Sequence, residues 1–197
     1  MLDSYFQADL SFILTFNILP YNMTHPDTQA IIDHYQFDRI PVEGTFYKST
    51  YRATQQATDG TPVGTAILAM YAEYPKSVSC FHRLPYDEVW HFYGGDPLQL
   101  YLLKEGGEIE VITMGSEPLQ GQRVQFVVPA NTWQAGEIQS GGRYALFGCT
   151  MAPGFMGKDF EAAVLDELLA QYPAHKALLR RLSVNEDQTE MPEGYIG

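Results

Sequence analysis

The residue types best suited to chemistry lie close together in residues 80–95, which read CFHRLPYDEVWHFYGG. We predict that two strands pair as a hairpin around a turn at residues 84–86, which places His82 directly opposite Glu88. Opposed side chains in such a pair have Cβ atoms about 4.5–5.5 Å apart, so the imidazole and the carboxylate are within reach of each other. This pairing suits general acid–base chemistry, with His82 as the acid or base and Glu88 orienting it.

The same predicted hairpin puts aromatic side chains beside this pair. Because side chains alternate along a strand, Trp90 and Phe92 share its face. An apolar, inward-facing surrounding perturbs the proton affinity of ionisable groups, which acid–base sites exploit. On the opposite face, we expect Arg83 and Asp87 to form a cross-strand ion pair.

The elements that position these residues follow from a run of short β-like segments. Nine of them cover residues 45–53, 64–74, 77–83, 88–94, 98–103, 108–114, 124–128, 132–138 and 143–151. Turn residues separate them, and segments 98–103 and 108–114 form a hairpin around the sequence KEGG. Many short strands at regular spacing predict a mainly β sandwich or barrel.

Helical patterns flank the β region. Residues 24–37 combine a capping residue, an early proline and apolar residues at helical spacing, which predicts an N-terminal helix. Asp159 precedes a second helical pattern whose apolar face carries Phe160 and Leu168. Residues 173–182 predict a third helix.

Length limits the domain organisation. The chain has 197 residues, which fits a single domain, and we place that domain at residues 23–182. A hydrophobic arm precedes it at residues 1–22, and a polar tail follows at residues 183–197. Alternatively, the arm lies upstream of a natural start at Met23.

Charge and cysteine content limit the partners and the compartment. Acidic residues outnumber basic ones 24 to 12, and the net charge of -12 without a basic stripe argues against nucleic acid or an anionic membrane as the partner. No apolar run reaches the roughly 18 residues that a membrane-spanning helix needs. Cys80 and Cys149 lie far apart in the sequence, which fits a reducing compartment, and we expect the cytoplasm.

The spacing of the chemically suited residues resembles the first cupin motif, H-x-H-x(3,4)-E followed by Gly. His82, Glu88 and Gly95 match its first histidine, its glutamate and its glycine. Leu84 occupies the position of the second histidine. The sequence PANTWQ resembles the second motif, P-x-G-x2-H, with Gln134 in place of the histidine.

A longer stretch makes the resemblance more specific. Residues 87–98 (DEVWHFYGGDPL) are similar to the hallmark of one poorly characterised, domain-of-unknown-function branch of the cupins, and residues 41–52, 127–134 and 141–155 resemble further segments of that branch. The resemblance implies a double-stranded β-helix, that is, a jelly-roll barrel with N-terminal and C-terminal helices. It also implies a homodimer with a ligand pocket inside the barrel. Because the superfamily ranges from metal oxygenases to metal-free sugar epimerases and storage proteins, the fold alone assigns no reaction.

The donor set argues against a tightly bound metal. The usual cupin site takes three histidines and a glutamate, whereas here Leu84 cannot ligate and Gln134 offers only a weak amide oxygen. We therefore expect no cofactor. The alternative is a weakly held divalent metal on His82, Glu88 and Gln134.

These observations leave open whether the protein is an enzyme. The leading hypothesis is a metal-independent isomerase, epimerase or lyase that acts on a sugar or sugar-nucleotide-like ligand in the barrel, with His82 and Glu88 as catalytic residues. The expected ligand contacts are Gln134, Trp90, Phe92, Tyr93, Tyr101 and Tyr144, the three tyrosines being candidates for the tyrosine that the metal-free epimerases place across the pocket. The alternatives are a non-catalytic binding or structural cupin, and a metal-dependent enzyme with an incomplete ligand set.

Overall fold

Apolar segments rich in β-branched and aromatic residues form two antiparallel sheets that face each other as a sandwich. The structure, a computed structural model, describes residues 26–185 and 187–197. The hydrophobic arm and the first two residues of the predicted N-terminal helix lie outside the described residues. In the part of the chain that is described, no helix has both the length and the apolar character needed to cross a membrane.

Each of the nine predicted β segments contains a strand. In chain order, the strands of the described chain are β1 (Asp38–Arg39), β2 (Phe46–Arg52), β3 (Thr65–Ala72), β4 (Ser79–Arg83), β5 (Glu88–Gly95), β6 (Leu98–Leu103), β7 (Ile109–Met114), β8 (Gln125–Val128), β9 (Gln134–Ile138), β10 (Tyr144–Met151) and β11 (Glu161–Ala162). One sheet has the order β1-β2-β3-β10-β5-β8 and the other β11-β4-β9-β6-β7. The helices are α1 (Pro26–Tyr35), α2 (Leu165–Gln171) and α3 (Lys176–Leu182). This is the mainly β architecture that the sequence predicts.

The predicted hairpin of β6 and β7 is confirmed. The two strands pair in register, beginning with Leu98 opposite Met114. Gly106 and Gly107 in the connecting turn have φ angles of 81° and 84°, which glycine adopts without the steric cost of a side chain. The turn therefore reverses the chain within the five residues 104–108.

The predicted hairpin of β4 and β5 is wrong. β4 pairs with β9 and β11, whereas β5 pairs with β8 and β10, so the two strands belong to opposite sheets. Residues 84–87 cross from one sheet to the other, and none of them has a positive φ angle. His82 is paired with Gln134 of β9, and Glu88 with Met151 of β10. Both side chains are nevertheless buried, at 3% and 8% exposure.

The predicted ion pair between Arg83 and Asp87 is wrong for the same reason. Arg83 Nε and Nη2 donate to Glu161 of β11 at 2.7 and 2.9 Å, and its guanidinium lies over the Trp133 ring. Asp87 instead accepts a hydrogen bond from the Ala130 backbone N–H at 2.8 Å. Because β4 and β5 pair with other strands, contacts between distant parts of the chain replace the expected local one.

Large rings fill much of the space between the sheets. Trp90 stacks on Phe147 with ring centroids 4.9 Å apart, and the ring centroids of Tyr71 and Phe147 lie 4.5 Å apart. All three side chains are almost completely buried. On the outer face of the six-stranded sheet, α1 packs against a separate apolar cluster that includes Phe46 and Met70.

The second predicted helix begins later than the sequence pattern indicates. α2 starts at Leu165, and Phe160 precedes it in an extended segment. The Ala163 N–H donates to the Phe81 carbonyl oxygen at 2.8 Å, so this backbone group pairs with β4 and cannot join a helical turn. Phe160 consequently leaves the predicted helix face and stacks on His82. The third predicted helix is confirmed as a short 3-10 turn followed by α3.

Candidate functional site

A small cavity between the two sheets collects polar side chains from both of them. His82 comes from β4, Glu88 from β5, and Glu43 from the turn before β2. Apolar side chains complete much of the wall: Ile40, Ile67, Leu84, Met151 and Phe160. The volume open to a water-sized molecule is about 50 Å3, which holds a few water molecules.

His82 has one ring nitrogen engaged and one available. Its Nδ1 lies 2.8 Å from the Cys80 carbonyl oxygen, which can only accept, so Nδ1 carries the proton of the neutral ring. Nε2 then holds the lone pair that can accept a proton. The ring also stacks on Phe160 with centroids 5.2 Å apart. A hydrogen bond to Cys80 and ring stacking thus orient the imidazole, a role that we expected of Glu88.

Glu88 is a buried carboxyl group held by two neutral donors. Its Oε2 accepts hydrogen bonds from Gln134 Nε2 at 2.7 Å and from Trp90 Nε1 at 3.0 Å. Burial raises the pKa of Glu88, the charge of His82 opposes this rise, and the charge of Glu43 adds to it. A carboxyl group with a raised pKa exchanges its proton closer to neutral pH, which suits it to proton transfer.

Glu43 supplies a second carboxylate, which the sequence pattern did not single out. Its Oε1 accepts hydrogen bonds from Thr45 Oγ1 at 2.5 Å and from Ser79 Oγ at 2.7 Å. Ser79 Oγ also lies 2.6 Å from the buried Tyr71 hydroxyl. The signal that could have found Glu43 is the cupin resemblance of residues 41–52, which contain it.

The polar tail at residues 183–197 also contributes to the cavity. Residues 195–197, named here the closing segment, lie on its wall beside Tyr47 and Arg52 of β2. Arg52 Nη1 donates to the Ile196 carbonyl oxygen at 2.7 Å. The tail has no apolar periodicity, so its sequence contained no signal for this position.

Three of the predicted ligand contacts lie behind the cavity wall. Gln134 and Trp90 contact Glu88 and each other, with Trp90 Nε1 donating to Gln134 Oε1 at 3.2 Å. Phe92 packs against the apolar core. Gln134 and Trp90 therefore reach the cavity through Glu88 and not through their own surfaces.

The three predicted tyrosines lie elsewhere in the fold. Tyr93 is 57% exposed on the outer side of β5. Tyr101 is half-buried in an apolar cluster with the C-terminal helices, and this burial raises its pKa to about 12. Tyr144 borders a shallow surface depression beside α1. The tyrosines on the cavity wall are instead Tyr47 and Tyr195.

The donors at the cavity do not fit the metal that many cupins hold. Leu84 lies on the wall and has no donor atom. Both polar atoms of the Gln134 amide are engaged, because Nε2 donates to Glu88 and Oε1 accepts from Trp90. Among the residues that the structure describes, no three His, Cys, Asp or Glu side chains meet in an arrangement that could hold a metal ion.

Solved structures resemble this architecture over most of its length. The chain is similar to protein SO0799 from Shewanella oneidensis, with 34% identity and a TM-score of 0.73, covering 80% of this chain and 98% of that one. It is also similar to a hypothetical protein from Leishmania major, with 27% identity and a TM-score of 0.70, covering 80% and 98%. No functionally curated protein matches it.

The fold and the motifs together define the class of protein. Two facing antiparallel sheets with short flanking helices form a cupin sandwich. Residues 29–163 match the family described as Cupin superfamily (DUF985). The chain belongs to this family, as its motifs predict. The family description names no activity.

Proposed function

We propose that this chain binds a small polar molecule in the cavity and exchanges a proton with it through His82. The observation that carries the proposal is the convergence of an oriented imidazole and two carboxyl groups on one largely apolar cavity. A concave apolar site with a few convergent polar groups is the usual form of a small-molecule site.

Each polar residue has a distinct role in this proposal. His82 Nε2 is the acid or base. When it takes a proton, the Glu88 carboxylate stabilises the imidazolium that forms, because the two charges attract each other. Gln134 and Trp90 are positioning residues, since both donate to Glu88. Glu43 accepts hydrogen bonds from ligand hydroxyl groups.

The reaction classes that fit are those in which a proton is removed from one carbon and returned or lost. Return of the proton to the same or a neighbouring carbon is an epimerase or isomerase reaction, and loss of a leaving group is a lyase reaction. Sugars and sugar nucleotides suit such a site, because their hydroxyl groups match the carboxylate and hydroxyl acceptors of Glu43, Ser49 and Thr65 on the wall.

The test has a binding arm and an exchange arm. A thermal-shift panel of sugars, sugar phosphates and sugar nucleotides identifies a ligand by a raised Tm. The protein and this ligand are then incubated in D2O, and NMR follows deuterium incorporation at the ligand carbons. We expect incorporation with the wild type and about 100-fold slower incorporation with His82→Asn. His91→Asn is the matched control, because His91 bonds Thr150 outside the cavity. Binding without any exchange would contradict the acid–base role.

A second candidate, a non-catalytic binding or structural cupin, is favoured by the size of the cavity. A volume of about 50 Å3 is far below the roughly 300–1,000 Å3 of small-molecule sites. The catalytic proposal therefore requires the wall to open. A raised Tm without deuterium exchange supports a binding protein, and no raised Tm with any compound of the panel supports a structural one.

A further inference from the structure

The cavity wall contains a cation whose hydrogen-bond partners are all neutral. Arg52 Nη1 donates to the carbonyl oxygens of Phe155 at 3.1 Å and Ile196 at 2.7 Å, and Nη2 lies 2.9 Å from Met156 Sδ. Over the described residues, no carboxylate comes within ion-pair distance of Arg52. A guanidinium is permanently charged and binds anionic oxygens more strongly than neutral ones, so the neutral acceptors around Arg52 are weaker partners than a carboxylate or a phosphate would be.

The closing segment occupies the space beside this cation. The Tyr195 ring packs edge-on against Phe155 with centroids 6.3 Å apart. Gly157 allows the close approach of the segment, because a Cβ at this position would collide with the Tyr195 carbonyl oxygen. With the segment in place, the cavity of about 50 Å3 is too small for a sugar-sized molecule. The segment is therefore seated on a specific surface and forms part of the wall of this small cavity.

We propose that Arg52 is an anion-binding subsite and that the closing segment is a reversible plug. In the closed state, the Ile196 carbonyl oxygen takes the position of a carboxylate or phosphate group of the ligand. The inference rests on the proposed function for its cavity, and it adds the charge of the ligand and the way the site opens.

Replacement of the Ile196 carbonyl oxygen by a ligand anion on Arg52 has a physical driving force. Charge-assisted hydrogen bonds are roughly twice as strong as neutral ones, and a guanidinium binds carboxylate or phosphate with two parallel N–H donors. The ligand anion thereby offsets the contacts that the closing segment loses. A neutral ligand offers no such gain and leaves the segment in place.

The other charges of the cavity determine where the anion lies. Glu43 and Glu88 also line the cavity, and both repel an anionic group. Glu88 is buried, whereas Arg52 is partly exposed and bonds the exposed Ile196. The ligand therefore has an acidic group at its outer end, on Arg52, and a neutral hydroxyl or carbonyl portion at its inner end, near His82.

The experiment uses the full chain and two simple anions, inorganic phosphate and lactate, at constant ionic strength in chloride. Glycerol is the neutral probe. Protein NMR measures binding, and hydrogen–deuterium exchange of residues 187–197 measures release of the closing segment. We expect at least one anion to bind and to accelerate exchange in the segment, and glycerol to do neither. Preference for phosphate or lactate distinguishes the two ligand chemistries.

Three variants test the charge of Arg52 and the blocking by the closing segment separately. Arg52→Gln removes the subsite, and we expect binding about tenfold weaker together with faster segment exchange before any anion is added. Gly157→Ala displaces the segment and spares Arg52, so binding becomes several-fold tighter. Lys48→Gln is the matched control, because it removes an exposed cation from the same strand, and binding is unchanged.

Three results would overturn the proposal. The first is equal anion binding by Arg52→Gln and the wild type, and the second is binding without faster exchange of the closing segment. Failure of both anions to bind to both the wild type and Gly157→Ala has the same consequence. None of these readouts needs turnover, so a ligand that binds without proton exchange refutes the proposed function and leaves the subsite intact.

Discussion

The two halves of the sandwich interior are built from the same sheets, yet they differ in what they contain. In the apolar half, Trp90 and Phe147 stack at 4.9 Å among aliphatic side chains. In the polar half, His82, Glu88 and Glu43 surround a cavity. Burial of the rings stabilises the fold, whereas burial of carboxyl groups removes their hydration and costs stability. Residues that are costly to bury occur where function requires them, which agrees with the proposed role of the polar half.

Strand β5 joins the two halves. Glu88 and Trp90 lie two residues apart on the same face, and the Trp90 indole N–H donates to the Glu88 carboxyl group. The Trp90 ring thus packs in the apolar half, while its indole nitrogen bonds a carboxyl group of the polar half. Substitutions on this strand therefore test whether the two halves contribute independently to the free energy of unfolding.

The largest effect is expected in the apolar half. Trp90→Ala removes a fully buried indole and should lower the free energy of unfolding by about 3–5 kcal/mol, measured by urea denaturation. Trp90→Phe keeps an aromatic ring but removes the donor to Glu88, and should cost about 1–3 kcal/mol. Val127→Ala, on an exposed strand position, should stay within about 0.5 kcal/mol. Equal losses in the two Trp90 variants would mean that the hydrogen bond, and not the packing, determines the stability here.

An intermediate effect is expected in the polar half, and it depends on pH. Because the folded protein raises the pKa of Glu88, its protonated form is favoured on folding. The contribution to stability is complete below the unfolded value of about 4.3 and is lost as the pH rises through the folded pKa. Glu88→Gln abolishes this loss, so the variant should gain stability relative to the wild type as the pH rises from about 4 towards neutral.

Urea unfolding of both proteins across this pH range measures the difference. Glu108→Gln is the control, because Glu108 is exposed on the surface. If the free energy of unfolding of Glu88→Gln runs parallel to that of the wild type at every pH, Glu88 has an ordinary proton affinity. Burial would then not distinguish the carboxyl group of the polar half from an exposed one.

The smallest effect on the free energy of unfolding is expected at a surface ion pair outside both halves. Arg83 and Glu161 form an ion pair in which the side chains are 39% and 50% exposed. Exposed pairs contribute about 0.2–1 kcal/mol, so a double-mutant cycle with Arg83→Ala and Glu161→Ala should give a coupling energy in this range. A coupling energy above about 2 kcal/mol would mean that this surface ion pair contributes as much to stability as contacts in the interior. The energetic difference between the surface and the interior would then not hold.

The two hairpin predictions show how far sequence reasoning reaches. The hairpin of β6 and β7 was predictable because Gly106 and Gly107 provide the left-handed conformations that a tight turn needs. Residues 84–87 contain no glycine, and the chain there crosses between sheets. The missing glycine was a local sign against the β4–β5 hairpin. The partners that the two strands take instead come from more than forty residues away, at β9 and β10.

The candidate site was predictable in the same partial way. The cupin motif identified His82 and Glu88, and both line the cavity. Alternation along β5 correctly put Trp90 on the face of Glu88, but it contained no information on how deep the ring lies. Glu43 lies in residues 41–52, whose cupin resemblance marked the segment but no single side chain in it, and the closing segment has no local pattern that indicates where it packs.

By itself, the sequence determined nine of the eleven strands described, the turn between β6 and β7, the family and two of the residues in the cavity. These properties follow from local backbone preferences, side-chain alternation and motif spacing. Only the tertiary structure decided that His82 and Glu88 line one cavity from opposite sheets, that Glu43 joins them there, and that Arg52 bonds the closing segment. The physical reason is that strand partners and tail positions are selected by contacts between residues distant in the chain, which no local pattern encodes.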